Sequence, residues 1–191
     1  MNAGKAAKFS RLPADLPSKR ATRDSQGCPP APPRRGWTGR AAALIAGDMD
    51  IRQITPAYAV SPQIAPEDVP ALKAAGFTTV ICNRPDPEVP PSHQAEAVRA
   101  AVEAAGLTFV ENPFSHAAFD FALVETQADA IAASDGPTFA YCASGNRSSV
   151  LWAMGAVKAG EVTPAEAIAA ARAAGYDLSG LAPQLEMLAN S

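Results

Sequence analysis

From residue 49 onward, short apolar or β-branched runs alternate with longer stretches in which apolar residues recur every three or four positions. These are the two periods that separate strands from amphipathic helices. Residues 51–54 and 58–60, split by Thr55 and Pro56, read as a pair of short strands, an edge hairpin or a lead-in to the sheet. A helix starts at Ala65-Pro66-Glu67-Asp68, where proline fits the first turn and the acids face the positive end of the dipole. Val69 and Leu72 supply its buried side, and Gly76 ends it. Residues 78–82 carry no alternation, as expected of a strand covered on both faces. After a proline-rich loop over 83–91, Ala97, Val98, Ala101, Val102 and Ala105 mark an amphipathic helix closed by Gly106. Residues 107–110 make the next strand, which Asn112-Pro113 stops; Val124, Ala128 and Ile131 then mark a helical face. Asp135-Gly136-Pro137 turns the chain into a buried strand, Thr138-Phe139-Ala140-Tyr141, that runs into Cys142.

Past Cys142 the signals are only helical. Val150, Leu151, Met154 and Val157 share one face; Thr163-Pro164-Ala165-Glu166 is a capping box that opens a second helix; a last helix lies around 181–188. Alternating strands and helices followed by a helical tail predict a single α/β domain. Its central sheet is mostly parallel and flanked by helices, and its C-terminus is helical.

Charge divides the chain. Residues 1–48 hold nine Lys or Arg against three Asp or Glu, whereas 49–191 hold seven against sixteen. A basic, proline-rich segment without apolar periodicity predicts a disordered extension on an acidic domain that begins at Met49. The Arg34-Arg35-Gly36-Trp37 run with the short apolar stretch over 41–47 only weakly resembles a twin-arginine export signal. A nucleic-acid arm would need interleaved aromatics and a less acidic neighbour. An extension that is dispensable or untranslated is the reading preferred. No uninterrupted apolar stretch reaches the roughly 18 residues of a membrane span. Cys28, Cys82 and Cys142 form no metal-ligand spacing and leave one thiol over in any disulfide scheme, which predicts thiol chemistry in a reducing, cytoplasmic compartment. The expected partners are small molecules, with no cofactor, metal, nucleic acid or membrane; the sequence does not fix the oligomeric state.

The chemistry concentrates where the last strand ends. Cys142-Ala143-Ser144-Gly145-Asn146-Arg147 joins that strand to a helix N-terminus, the place where parallel α/β sheets bind ligands. Small residues at Ala143, Ser144 and Gly145 let the backbone curl so that successive N–H groups converge, and the helix dipole adds to their field. With Asn146 these residues predict a cradle for an oxyanion, and Arg147 adds a planar fork suited to two oxygens. The same field favours thiolate over thiol, which makes Cys142 the nucleophile and Ser148 a candidate hydrogen-bond donor to its sulfur. Arg84 and Asp86 follow a neighbouring strand end, where they would line the pocket rim, brace the loop or form a structural salt bridge.

These motifs carry a resemblance. Met49-Asp50-Ile51-Arg52, Val60-Ser61-Pro62-Gln63-Ile64, Asn83-Arg84-Pro85-Asp86 and the run from Tyr141 through Ser149 are similar to the phosphatase-like domain family named after beta-lactamase hydrolase-like proteins. The resemblance covers 49 to about 154 and implies a protein-tyrosine-phosphatase-like fold. Ala143 departs from it, because family members often carry arginine there. Ordinary tyrosine phosphatases place five residues between cysteine and arginine; this chain has four, as do single-domain rhodaneses, and some family members are labelled sulfurtransferases. Phosphatase kinship also implies a general acid on the loop before the helix at 124–131, for which His116 and then Asp120 are the candidates. It implies, too, a resolving role for Cys82, against the plainer reading of a core cysteine. The leading expectation is a cysteine-dependent phosphatase-like hydrolase of phosphate monoesters. Its alternatives are a sulfurtransferase that carries a Cys142 persulfide and a non-catalytic oxyanion-binding or sensing module.

Overall fold

Among the residues that the computed structural model describes, 49–191 apart from His116 and Ala118, five strands form one sheet. These are β1 (Arg52–Thr55), β2 (Tyr58–Ser61), β3 (Thr79–Cys82), β4 (Thr108–Glu111) and β5 (Thr138–Tyr141), in spatial order β1-β2-β5-β3-β4. The expected extension over 1–48, Cys28 included, lies outside the described residues. β1 and β2 pair antiparallel; the other contacts are parallel. The predicted lead-in pair is therefore split in role. β1 is an edge, while β2 lies inside the sheet between β1 and β5.

Helices cover both faces. α1 (Val69–Ala74) and α2 (Ala95–Ala104) pack on one, with Val69, Leu72, Val98 and Val102 fully buried against Ala59, Val80, Phe139 and Tyr141 of the strands. Each such aliphatic side chain contributes about 1.5–3 kcal/mol by leaving water. α3 (Ala122–Ala133), α4 (Asn146–Lys158), α5 (Pro164–Ala173) and α6 (Ala182–Ala189) build the other face over Tyr58, Val60, Ile81 and Ala140. Successive residues of β5 thus point into opposite clusters, which explains why no alternation was visible in its sequence.

The element ends follow local chemistry. The expected helix after Ala65 divides into a 3-10 turn, Pro66–Asp68, and α1, with the Asp68 carboxylate accepting the Ala65 N–H at 2.8 Å. β4 starts one residue later than the pattern predicts, because the Leu107 N–H closes the preceding helix on the Val102 carbonyl. α5 opens with the predicted capping box: the Thr163 hydroxyl accepts the Glu166 N–H, and the Glu166 carboxylate accepts the Thr163 N–H. Such a cap is worth about 1 kcal/mol.

Strand register sets up the site. Ser61, Tyr141 and Cys82 lie in one row across β2, β5 and β3, so the residues that follow them emerge together at the C-terminal edge. Backbone bonds continue the row past the strands: Cys142 N–H to Ser61 O, Asn83 N–H to Tyr141 O, and Asn112 N–H to Cys82 O.

Candidate active site

Cys142 is fully buried where β5 ends, and the chain then curls through Ala143 and Ser144 to Gly145 before α4 begins. The Gly145 N–H points back at the Cys142 sulfur, 3.1 Å away. The backbone N–H groups of Ala143, Ser144, Asn146, Arg147 and Ser148 have no protein acceptor among the described residues. The first N–H groups of a helix have no intrahelical acceptor, and at the start of this 13-residue helix they can receive an anion, with the helix dipole adding to the field.

Gly145 is required for this curl. Its φ of 89° is left-handed, and a Cβ there would lie 2.0 Å from the Tyr176 hydroxyl oxygen. That hydroxyl donates to the Ser144 carbonyl at 3.0 Å and so supports the loop from beneath. Burial pushes the Tyr176 pKa up to about 12, a rise that Arg52, 5.2 Å over the ring, opposes. In the unfolded chain the group would lose its proton near 10. A pKa raised by folding means that stability is fully present below pH 10 and is lost as pH climbs toward 12. Tyr58 and Tyr141, also raised by burial, add in the same direction. The melting temperature is expected to fall across that interval, and to fall less steeply in Tyr176→Phe; differential scanning calorimetry at stepped pH measures it.

Arg147 enters from the first turn of α4 with its guanidinium already oriented. One edge meets the Glu88 carboxylate as a two-pronged ion pair, Nη1 to Oε1 at 2.9 Å and Nη2 to Oε2 at 2.6 Å, and Nη1 also donates to the Phe114 carbonyl at 2.7 Å. Glu88 holds the arginine pKa above its ordinary value against the opposing effect of burial, and the Cys142 sulfur adds to the rise. Among the described residues no oxygen accepts from the remaining edge, Nε with the second Nη2 proton. Glu88 is shared, because Arg84 Nε lies 2.9 Å from Oε2 and Arg84 Nη2 donates to the Glu88 carbonyl. A cavity of about 500 Å³ opens over the loop, lined by Glu88, Ser115, Ala117, Ala143, Ser144, Asn146 and Arg147.

The structure thus brings Cys142, Ala143, Ser144, Gly145, Asn146 and Arg147 into one cradle. Ser148 is fully buried behind it, its hydroxyl oxygen accepting from Asn83 at 3.0 Å. Arg84 reaches the loop only through Glu88. Asp86 does not line the cavity; its carboxylate accepts the Ala95 N–H at 2.7 Å and caps α2. His116 lies outside the described residues. Asp120 is exposed and caps α3 by accepting the Ala122 N–H at 3.0 Å. Cys82 and Cys142 are both free thiols. Cys82 packs in the α1–α2 cluster, with its thiol donating to the Arg84 carbonyl and its pKa raised by burial. Among the described residues no His, Cys, Asp or Glu cluster could hold a metal ion, and no helix is long and apolar enough to cross a membrane. Sequence singles out neither Glu88, Gln127 nor Tyr176, and names Asn83 only within the Asn83-Arg84-Pro85-Asp86 motif. A signal for Gln127 existed: a polar residue on the same helical face as Val124 and Ile131.

A cysteine at the end of a central parallel strand, an arginine in the first turn of the next helix and no strand beyond them among the described residues define a cysteine-phosphatase-like α/β domain. The chain belongs to the family described as beta-lactamase hydrolase-like protein, phosphatase-like domain, whose model matches residues 50–160. It is 30% identical over 125 residues to a beta-lactamase hydrolase-like protein of Agrobacterium fabrum, a match covering 65% of this chain and 28% of that longer protein. Among solved structures it is similar to a protein of Neisseria meningitidis described as a “putative phosphatase”. That match has 30% identity and a TM-score of 0.64 and covers 74% of this chain and 99% of the other. A Shewanella putrefaciens protein with the same description shares the fold at 21% identity and a TM-score of 0.58, over 76% of this chain and 96% of its own.

Proposed function

We propose that the protein is a cysteine-dependent hydrolase of phosphate monoesters. The observation that carries this reading is the set of unpaired amides and the open arginine edge gathered around a buried thiol at the sheet's ligand-binding end. In the reaction the Cys142 sulfur bonds to phosphorus as the alcohol oxygen leaves. The loop amides and Arg147 hold the equatorial oxygens, whose charge they match better as the transition state forms. A group on the loop over 115–120 protonates the leaving oxygen. His116 and Asp120 remain the candidates, and Asp120 must release the Ala122 N–H to serve. Water then displaces the sulfur and yields inorganic phosphate. The substrate is a small phosphorylated molecule.

A second reading, sulfur transfer, is favoured by one observation. The described carboxylate lining the cavity, Glu88, is committed to two arginines, and a persulfide exchange needs no acid there. Paired assays decide between them: release of phosphate from an aryl phosphate, and transfer of sulfur from thiosulfate or glutathione persulfide to cyanide. Phosphate release, with the phosphoryl group trapped on the Cys142 peptide after acid quench, is the expected result. Sulfur transfer without phosphate release selects the rival. Neither activity, with inorganic phosphate still bound, leaves an oxyanion-binding module.

A further inference from the structure

Beside the cradle lies a second cavity, of about 470 Å³, within the size range of small-molecule sites. Its apolar walls are Phe114 and Phe119 from the loop after β4, Val150 and Met154 from α4, and Leu178 and Leu181 from the turn between α5 and α6. The two cavities adjoin. Asn146 lines both, and one loop borders both: Ser115 and Ala117 line the cradle cavity, while Phe114 and Phe119, their rings 5.6 Å apart edge to face, line the apolar one. Asn146, Val150 and Met154 are spaced four residues apart and so form one stripe on α4. The stripe starts at the rim of the cradle and runs away from it for about 12 Å, the length that the helical rise gives to that span.

Charge narrows what this groove can hold. Among the described residues no Lys or Arg lines it, and its one acid, Asp177, accepts the Ser179 N–H at 3.0 Å, with hydrogen bonds from Ser179 holding its pKa below the ordinary value. A second phosphate would meet that carboxylate with no cation to balance it. An apolar group meets no such penalty, and its transfer from water is favourable in proportion to the area covered. Phe119 is one of two large apolar side chains exposed among the described residues, at 44%, and it stands at the groove's edge. Direction ties the groove to the reaction. Displacement at phosphorus is in line, so the leaving oxygen lies opposite the Cys142 sulfur, and what it carries departs through the cavity that Asn146 borders.

We propose that this groove is the subsite for the alcohol half of the substrate, and that the substrate is a phosphate monoester whose alcohol carries an extended apolar group. The proposal rests on the phosphatase reading and narrows it. Seated along the α4 stripe, the apolar group lies against Phe119, on the loop that carries both acid candidates, His116 and Asp120. Its burial holds that loop toward the leaving oxygen, so binding energy from a part of the substrate that does not react serves to orient the proton donor. No bond changes beyond those of the hydrolysis itself. The apolar group stays on the alcohol and leaves with it.

A series of 4-n-alkylphenyl phosphates, methyl through hexyl, tests it, because the alkyl chain hardly alters the acidity of the phenol and leaves the chemistry constant. With the full chain, kcat/KM is expected to rise by about twofold or more per methylene, which puts the hexyl ester about 30-fold or more above the methyl ester. Phe119→Ser removes one wall of the groove, and Val150→Lys, at a half-buried helical position, fills it with a charged side chain. Both should bring the hexyl-to-methyl ratio down toward one. The ratio is taken within each protein, so a general loss of activity cancels; should Phe119→Ser disturb the loop, Val150→Lys carries the test. A wild-type ratio near one, or a steep rise kept in both variants, overturns the proposal and leaves the phosphatase reading standing. A flat wild-type profile together with a dimer that Phe119→Ser dissociates in analytical ultracentrifugation overturns it in favour of a second copy of the chain in the groove. Wild-type protein that hydrolyses no member of the series fails at the phosphatase reading and removes the basis of this one.

Discussion

Cys142→Ser is expected to lower kcat for an aryl phosphate by about 10⁴-fold or more, because a serine hydroxyl beside Arg147 is almost entirely protonated at neutral pH and has no base within the described residues to take its proton. Oxyanion affinity should survive. The Ala143, Ser144, Asn146, Arg147 and Ser148 amides and the open edge of Arg147 belong to the backbone and to α4, and neither depends on the sulfur. Isothermal titration with inorganic phosphate, alongside phosphate-release kinetics, reads both halves. Catalysis lost with binding kept is the expected pair; hydrolysis that persists in the variant removes Cys142 from its role.

Arg147→Lys should cost about 10²–10³ in kcat/KM. The lysine keeps a positive charge, yet a single ammonium cannot meet the two oxygens of Glu88, the Phe114 carbonyl and an oxyanion at once, as the guanidinium does with two edges. The inhibition constant of inorganic phosphate should rise in parallel, since the lost contact is with the anion. Folding should be retained, because Arg84 still pairs with Glu88. A variant within about threefold of wild type would mean that the amides alone carry the charge.

Much of this was legible in the chain. Short apolar or β-branched runs between helical periods located every described strand to within a residue or two, and the strand–Cys142–Gly145–Arg147–helix order identified the cradle, because there neighbours in sequence are neighbours in space. What escaped notice depended on strand order. Nothing local connects Glu88 with Arg147; they meet because β3 lies beside β5. Asp86, expected at the pocket rim or bracing the loop, instead satisfies the first amide of α2, and Asp120, a general-acid candidate, accepts the Ala122 N–H at the start of α3. Tyr176 gave no signal in a helical tail that reads as mere cover.

The support that Tyr176 gives Ser144 has a modular consequence. The stretch that matches the family ends at residue 160, yet the residue whose hydroxyl holds the Cys142–Arg147 curl lies beyond it. A fragment trimmed to the shared stretch would contain Cys142, Gly145 and Arg147 and still lack the prop under them. The transplantable unit therefore extends past the matched stretch, and any chimera meant to inherit this cradle must carry the turn after α5.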